Sequence, residues 1–367
     1  MDRKGFPAAV LYVICQLGLV FFLYPADLIG SMETGHSLGI LLGILVHFLM
    51  ITIYIKGLNL AKRKDVLEIF SNTSRILAWI CLLPVFFYTA SAFIITIRAY
   101  SEMLILVFLP NTPVWAILLL LITISCIIVL QGIQSMARTA LLAGVLFILP
   151  IVFVLCLSFQ NADWRFALPL VDRYQTFFVS DNLYQTSLSV FAGGFLFLGF
   201  LPSSMDIRIR KIWYVNLLML PMYFLSVYLP LLTFGQASAK LYEFPVLMTI
   251  DTLNITWLMF DRATIFFLLS IVGLAILFMG ICLWMLGVMM KRAIPLIPTS
   301  YIIVGLTVVL FCISVAIPNW VYLRNFQTYL APLRLYVLLG VPLLTLWLGL
   351  RLKRKNSRKT NRKTEVI

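Results

Sequence analysis

The sequence predicts an all-α polytopic membrane protein. Ten transmembrane helices form two five-helix halves of opposite orientation (a 5+5 inverted repeat), and the helices that open each half, 1 and 6, are broken. Three observations carry this prediction. Of 367 residues, 62% are hydrophobic and only 11% are charged, which is more apolar surface than a soluble domain can bury. Apolar runs of about 20 residues, enough to cross the hydrocarbon core, recur along the whole chain. Glycine and proline, the weakest helix formers, fall near the middle of the first and sixth runs.

The runs lie at 7–26, 37–56, 76–98, 114–131, 139–158, 183–202, 212–234, 262–286, 299–317 and 333–350. The start, MDRKGFPAAVLYVICQLGLVFF, has the charged-then-apolar order of a signal peptide. It has no small-x-small cleavage site before the next polar residues, so it reads as a retained helix. Within it Gly18 follows Pro7 by eleven residues and precedes Pro25 by seven. The second span carries His47 in HFLMITIY, read as a hydrogen-bonded packing residue rather than a proton relay. The third holds Tyr88, Thr89 and Ser91 at mid-span, with Arg98 and Glu102 at its outer end.

The fourth span follows LPNTP, where Pro113 suits a first helical turn and Asn111 or Thr112 can cap it. The fifth, ARTALLAGVLFILPIVFVLCLS, has no lysine to stand in for a coupling cation. The sixth contains SVFAGGFLFLGFLP (189–202), with Gly193, Gly194, Gly199 and Pro202. The seventh and ninth are apolar runs; the eighth offers Ser270 as a mid-membrane hydroxyl. The tenth ends at RLKRKNSRKTNRKTEVI, whose basic run reads as a solvated stop-transfer anchor near anionic lipid. Two outer segments, 159–182 and 235–261, mix aromatic and apolar residues and read as interfacial helices capping an outer vestibule. The domains are thus 1–158, the connector 159–182, 183–350, and the tail 351–367.

Charge orients the spans. The net charge of +14 would point to nucleic acid in a soluble protein, but here it is topological, so no nucleic-acid partner is expected. With both termini inside, 21 of the 28 Lys and Arg residues face inward, and nine of the 14 acidic residues face outward. That bias predicts cytoplasmic termini. The six cysteines are scattered singly through apolar runs and read as small buried hydrophobes, not disulfides, and no metal is expected. No nucleophile–base pair sits in a polar pocket, so neither an enzyme nor a cofactor is expected.

In an inverted repeat, solute sites lie near the midplane where paired helices break. Unwound backbone is tolerated there only if it is buried in protein or lines a cavity. Two readings of the glycines stay open. They free backbone groups to face a small polar ligand, or they let helices pack closely. The candidate ligand set is Gln16, Gly18 and Tyr24 from span one and Tyr88, Thr89 and Ser91 from span three. Gly193, Gly194 and Phe195 of span six complete it, with Ser187 and Ser189 nearby. Ion-coupling chemistry is sparse, so the ligand expected is neutral or zwitterionic.

Ordered landmarks extend along the chain. They are Gln16; Leu109, Pro110, Thr112 and Pro113 of LPNTP; and Gly132 and Arg138 of QGIQSMAR. LPLVD (168–172), FGQ (234–236) and YEFP (242–245) follow. In these the chain resembles the B subunits of bacterial spore germinant receptors, the endospore germination permeases of the amino acid–polyamine–organocation superfamily. It departs from that family's pattern in lacking an acidic residue after the span-six glycines and in reading Phe260-Asp261-Arg262 before span eight. The resemblance implies a leucine-transporter-like fold and a sensor in the spore inner membrane. It also implies a small nutrient ligand, an amino acid or sugar, and A-type and C-type partner subunits. A permease of the same fold is the alternative.

Overall fold

A computed structural model describes residues 5–32, 34–61, 65–71, 75–169, 193–203, 205–253 and 263–364. The first part of the sixth span (183–192, with Ser187 and Ser189) and parts of both outer connectors (170–182 and 254–261) lie outside the described residues.

The first span is a bent pair, α1 (Phe6–Val20) and α2 (Leu23–Ser31), with 51° between them. The second is α3 (His36–Leu60), followed by the short α4 (Val66–Ser71). Then come α5 (Arg75–Val107), α6 (Val114–Leu130) and α7 (Ile133–Ser158), the third to fifth spans. The second half supplies α8 (Ile209–Ala239), the short α9 (Pro245–Asp251), α10 (Ala263–Ala293) and α11 (Thr299–Ala316). An amphipathic α12 (Trp320–Tyr329) leads to α13 (Ala331–Leu335), one π-helical turn (Tyr336–Gly340) and α14 (Val341–Thr364), which form the tenth span. Seven helices, and eight spans with the bent pair, are long and apolar enough to cross a bilayer among the described residues. At 17 residues α6 is shorter, about 25 Å at 1.5 Å per residue. The basic tail continues α14 as helix to Thr364, and Arg351 stacks on Trp347, 3.9 Å from its ring centre.

The eighth span, α10, is the axis of the bundle: 72% of its apolar window is buried, against 22% for the peripheral α11. In a five-span repeat the second, third and fourth spans correspond to the seventh, eighth and ninth. Each of those pairs is packed together, as α3 with α8, α5 with α10 and α6 with α11.

Pro25, not Gly18, sets the break in span one. A proline removes its own i→i−4 bond and its ring clashes with that carbonyl, here that of Phe21. The helix opens there, and Phe22 takes φ −97°, ψ −104°. Phe22 N–H turns to the Leu19 carbonyl (3.2 Å), and the Gly18 carbonyl instead accepts the Tyr100 hydroxyl (2.7 Å). Gly18 is helical, and a Cβ there would meet the Leu274 carbonyl of α10 at 3.3 Å. Its small size serves close packing.

Three of the landmarks shape helix ends. Gly235 of FGQ breaks α8 with φ +71°, and the Gln236 amide donates to the Ile29 (3.0 Å) and Met32 (2.6 Å) carbonyls. It thereby caps the C-terminal end of α2, where helix carbonyls lack intrahelical donors. Gly132 provides φ +86° at the N-cap of α7. In LPNTP, the Thr112 N–H donates to the Leu109 carbonyl (2.9 Å) and Pro113 itself is the N-cap of α6. The expectation that Asn111 or Thr112 caps this helix is corrected: α6 has no side-chain cap, because the turn puts Pro113 in the capping position. The outer connectors also differ from surface helices. Residues 159–161 and 164–167 are 3₁₀ turns, and α9 buries Val246, Leu247 and Ile250 against α2, α7, α8 and α10.

On the basic side, Asp65 precedes α4 with its Oδ1 buried and without a hydrogen-bond partner. Burial raises its carboxyl to about 7, offset in part by Arg292. The folded chain therefore holds a proton that the unfolded chain releases near 4. Stability is expected to fall as pH rises from 4 through 7. Melting curves over this window should flatten in Asp65→Asn, and an unchanged slope would contradict the assignment.

Candidate functional site

The segment after the undescribed start of span six is not α-helical. Gly193 has φ +86°, Leu196–Gly199 form a 3₁₀ turn, and α8 begins at Ile209. Its centre is enclosed: Phe195 to Gly199 are all buried. Each glycine marks a place where a side chain abuts the main chain. A Cβ at Gly193 would overlap the Tyr88 ring, one at Gly199 would overlap the Tyr54 ring, and one at Gly194 would sit 3.1 Å from the Gln16 amide nitrogen. Tyr54 also donates to the Leu196 carbonyl at 3.0 Å. Unwinding and close packing thus coexist here, since the freed backbone is met by tyrosines and an amide.

Two voids flank Tyr88, which lines both. The inner one, about 20 Å³, lies against Thr89, Gly193 and Gly194. The outer one, about 90 Å³, lies in the crook of the first-span break, against Tyr24, Ser91, Asp27, Gln327 and Arg334. A buried water needs roughly 10–15 Å³ of such space, so the outer void holds several waters or one small solute. Thr89 and Ser91 donate to their own helix, to the Val85 and Tyr88 carbonyls at 2.8 Å. Their oxygens remain available as acceptors.

The outer void carries opposite charges. Asp27 lies on α2, and its Oδ2 accepts from the Gln327 amide at 3.2 Å. Arg334 lies on α13 and acts on Asp27 electrostatically, as does Arg324. Among the described residues Asp27 makes no direct ion pair. A carboxylate and a guanidinium therefore share one small cavity without neutralising each other in contact.

Below the void, a buried polar chain joins α1, α3 and α8. The Tyr12 hydroxyl donates to Asn216 Oδ1 (2.6 Å) and lies 2.5 Å from His47 Nε2. Gln16 Nε2 is 3.5 Å from the same imidazole nitrogen, and Gln16 Oε1 accepts from Tyr223 at 3.2 Å. Tyr223 in turn packs edge-on against Tyr24. His47 is thus buried and hydrogen-bonded.

The structure brings Gln16, Tyr24, Tyr88, Thr89, Ser91, Gly193 and Gly194 together around the two breaks. Gly18 sits on the α10 interface, and Phe195 is wholly buried between His47 and Tyr54, away from both voids. Sequence reasoning missed the pairing of Asp27 with Gln327 and Arg334. The signal available was a lone acidic residue just after the proline of a broken span. Among the described residues, no three His, Cys, Asp or Glu side chains gather as a metal site.

Among curated proteins none matches the chain. Among solved structures, three of a manganese transporter from Eremococcus coleocola are similar. Two mutant forms align at TM-scores of 0.57 and 0.58, with 13% and 14% identity, over 95% of this chain and 78% of theirs. A complex of that transporter with an aromatic bis-isothiourea compound gives 0.56 and 13% over the same shares. At that identity the likeness concerns the fold alone, a leucine-transporter-like membrane fold. A family model described as "Spore germination protein" matches residues 6–319. The chain therefore belongs to the spore germination protein family, as a multi-pass membrane protein.

Proposed function

We propose that this chain is the nutrient-sensing membrane subunit of a spore germinant receptor. The ligand is a small zwitterionic solute of the amino-acid class, held in the outer void between Asp27 and Arg334. The observation that carries this reading is the pair of opposite charges left unpaired in contact inside one small cavity, at the break of the first span. An ammonium group would meet Asp27, a carboxylate would meet Arg334, and the Tyr24 and Ser91 hydroxyls would fill the remaining polar contacts. Tyr88, shared with the inner void, would report occupancy to the Gly193–Gly194 backbone. The halves 1–158 and 183–350 would close around the solute.

The receptor would sit in the spore inner membrane with both termini cytoplasmic, beside A-type and C-type subunits. Deleting the gene is expected to abolish germination to one nutrient class and leave vegetative uptake intact. Normal germination to every nutrient would refute the reading. The transporter-like fold favours a second reading, a working amino-acid or polyamine permease. Gradient-driven accumulation of solute in proteoliposomes would decide for the permease.

A further inference from the structure

On the lipid-facing side of the bundle, a groove of about 310 Å³ runs between α4, α5 and α10. Its floor is buried and apolar, with Leu67, Ala78, Leu82 and Met289 each under a tenth exposed. One wall is the strip Trp79, Leu83, Phe87, spaced four residues apart on α5 and 43%, 49% and 57% exposed. Residues four apart share a helix face, so the strip is a continuous apolar edge about 12 Å long. The groove ends at Arg292, in the last turn of α10.

That end is cationic and unsatisfied. The neighbouring Lys291 is engaged, its Nζ donating to the Pro295 and Ile297 carbonyls at 2.8 Å. Arg292 makes no ion pair among the described residues, and the Asp65 carboxylate acts on it only through space. A long apolar trough with one free guanidinium at its mouth complements a chain that carries a phosphate. In a bilayer, the molecule of that shape and charge is an acidic lipid.

We propose that this groove holds one anionic phospholipid, its acyl chain along Trp79, Leu83 and Phe87 and its phosphate on the Arg292 guanidinium. The site does not depend on what the solute cavity binds.

The test uses the full chain in phosphatidylcholine vesicles containing rising fractions of chain-brominated phosphatidylglycerol, or of chain-brominated phosphatidylcholine as the neutral control. Bromine quenches nearby tryptophan fluorescence, and the quenching lost in Trp79→Phe reports this groove alone. One basic residue near the surface is worth about 1 kcal/mol toward anionic lipid. The Trp79 signal is therefore expected at about fivefold lower mole fraction for the brominated phosphatidylglycerol. Arg292→Gln should erase that preference and Arg292→Lys should retain it. Asp65→Asn, which removes the competing carboxylate, should sharpen it and carries the test if Arg292→Gln does not fold. Equal quenching by the two lipids in the wild-type chain, or an undiminished preference in Arg292→Gln, overturns the proposal.

Discussion

Asp27→Asn is expected to raise the nutrient concentration for half-maximal germination about 10- to 100-fold, with the protein still present at its normal level. A hydrogen bond to a charged group contributes about 1.5–3 kcal/mol, and each 1.4 kcal/mol is tenfold in affinity. The substitution keeps the shape of the side chain and lets its oxygen go on accepting from Gln327, so the fold is not at stake. What is lost is the negative charge. Arg334→Gln should cost a similar factor by removing the positive one. The two variants should also sort ligands differently. An amino acid and its carboxamide share the ammonium and should both lose potency in Asp27→Asn. In Arg334→Gln the free acid should lose potency and the carboxamide should not. Dose–response curves on spores, paired with immunoblots of their membranes, give both quantities. If both variants respond to every analogue as the wild type does, the outer void is not where the nutrient binds.

The bundle was legible because hydrophobicity is a bulk property. Among the described residues every predicted span but the sixth appears as helix, while the described part of the sixth is irregular with one 3₁₀ turn, and the broken first span lies where proline interrupts an apolar run. The position of that break was misplaced by three residues. The sequence reading weighed Gly18 as the weak point, whereas proline acts on the carbonyl four residues before it and so breaks the chain at Phe21. Tyr88, Gln16 and Thr89, polar residues near the breaks in sequence, do lie beside Gly193 and Gly194. The pairing of Asp27 with Arg334 is not legible in the sequence because they are some 300 residues apart. Only the packing of α13 against α5, with the π turn setting its phase, brings a guanidinium to the first span. The buried chain of Tyr12, His47 and Asn216 is not legible for the same reason. Each member alone is an ordinary polar residue in a helix.

The largest expected effect on stability lies far from either void, where α3 meets α14. Gly57 and Gly349 face one another so closely that a Cβ on Gly57 would sit 2.7–2.9 Å from the Thr345–Leu346 backbone, and one on Gly349 would sit 2.6 Å from the Gly57 carbonyl. The obstacle in both cases is backbone of the facing helix, which no rotamer change can move aside. With Thr345 fully buried one turn before Gly349, this is a small-xxx-small contact, the kind that holds helices together where lipid offers no hydrophobic drive. Helix propensity alone would make Gly57→Ala stabilising by about 0.5–1 kcal/mol. Packing reverses the sign: the helices must part along their length, and overpacking costs about 1–3 kcal/mol or more. Gly305 of α11 supplies the control, since nothing lies within 4 Å of its added Cβ. Thermal inactivation of purified protein should therefore show Gly305→Ala slightly more stable than wild type and Gly57→Ala clearly less so. Gly57→Leu should leave little folded protein in the membrane. If Gly57→Ala and Gly305→Ala shift stability in the same direction and by the same amount, the α3–α14 contact does not hold the second span to the tenth.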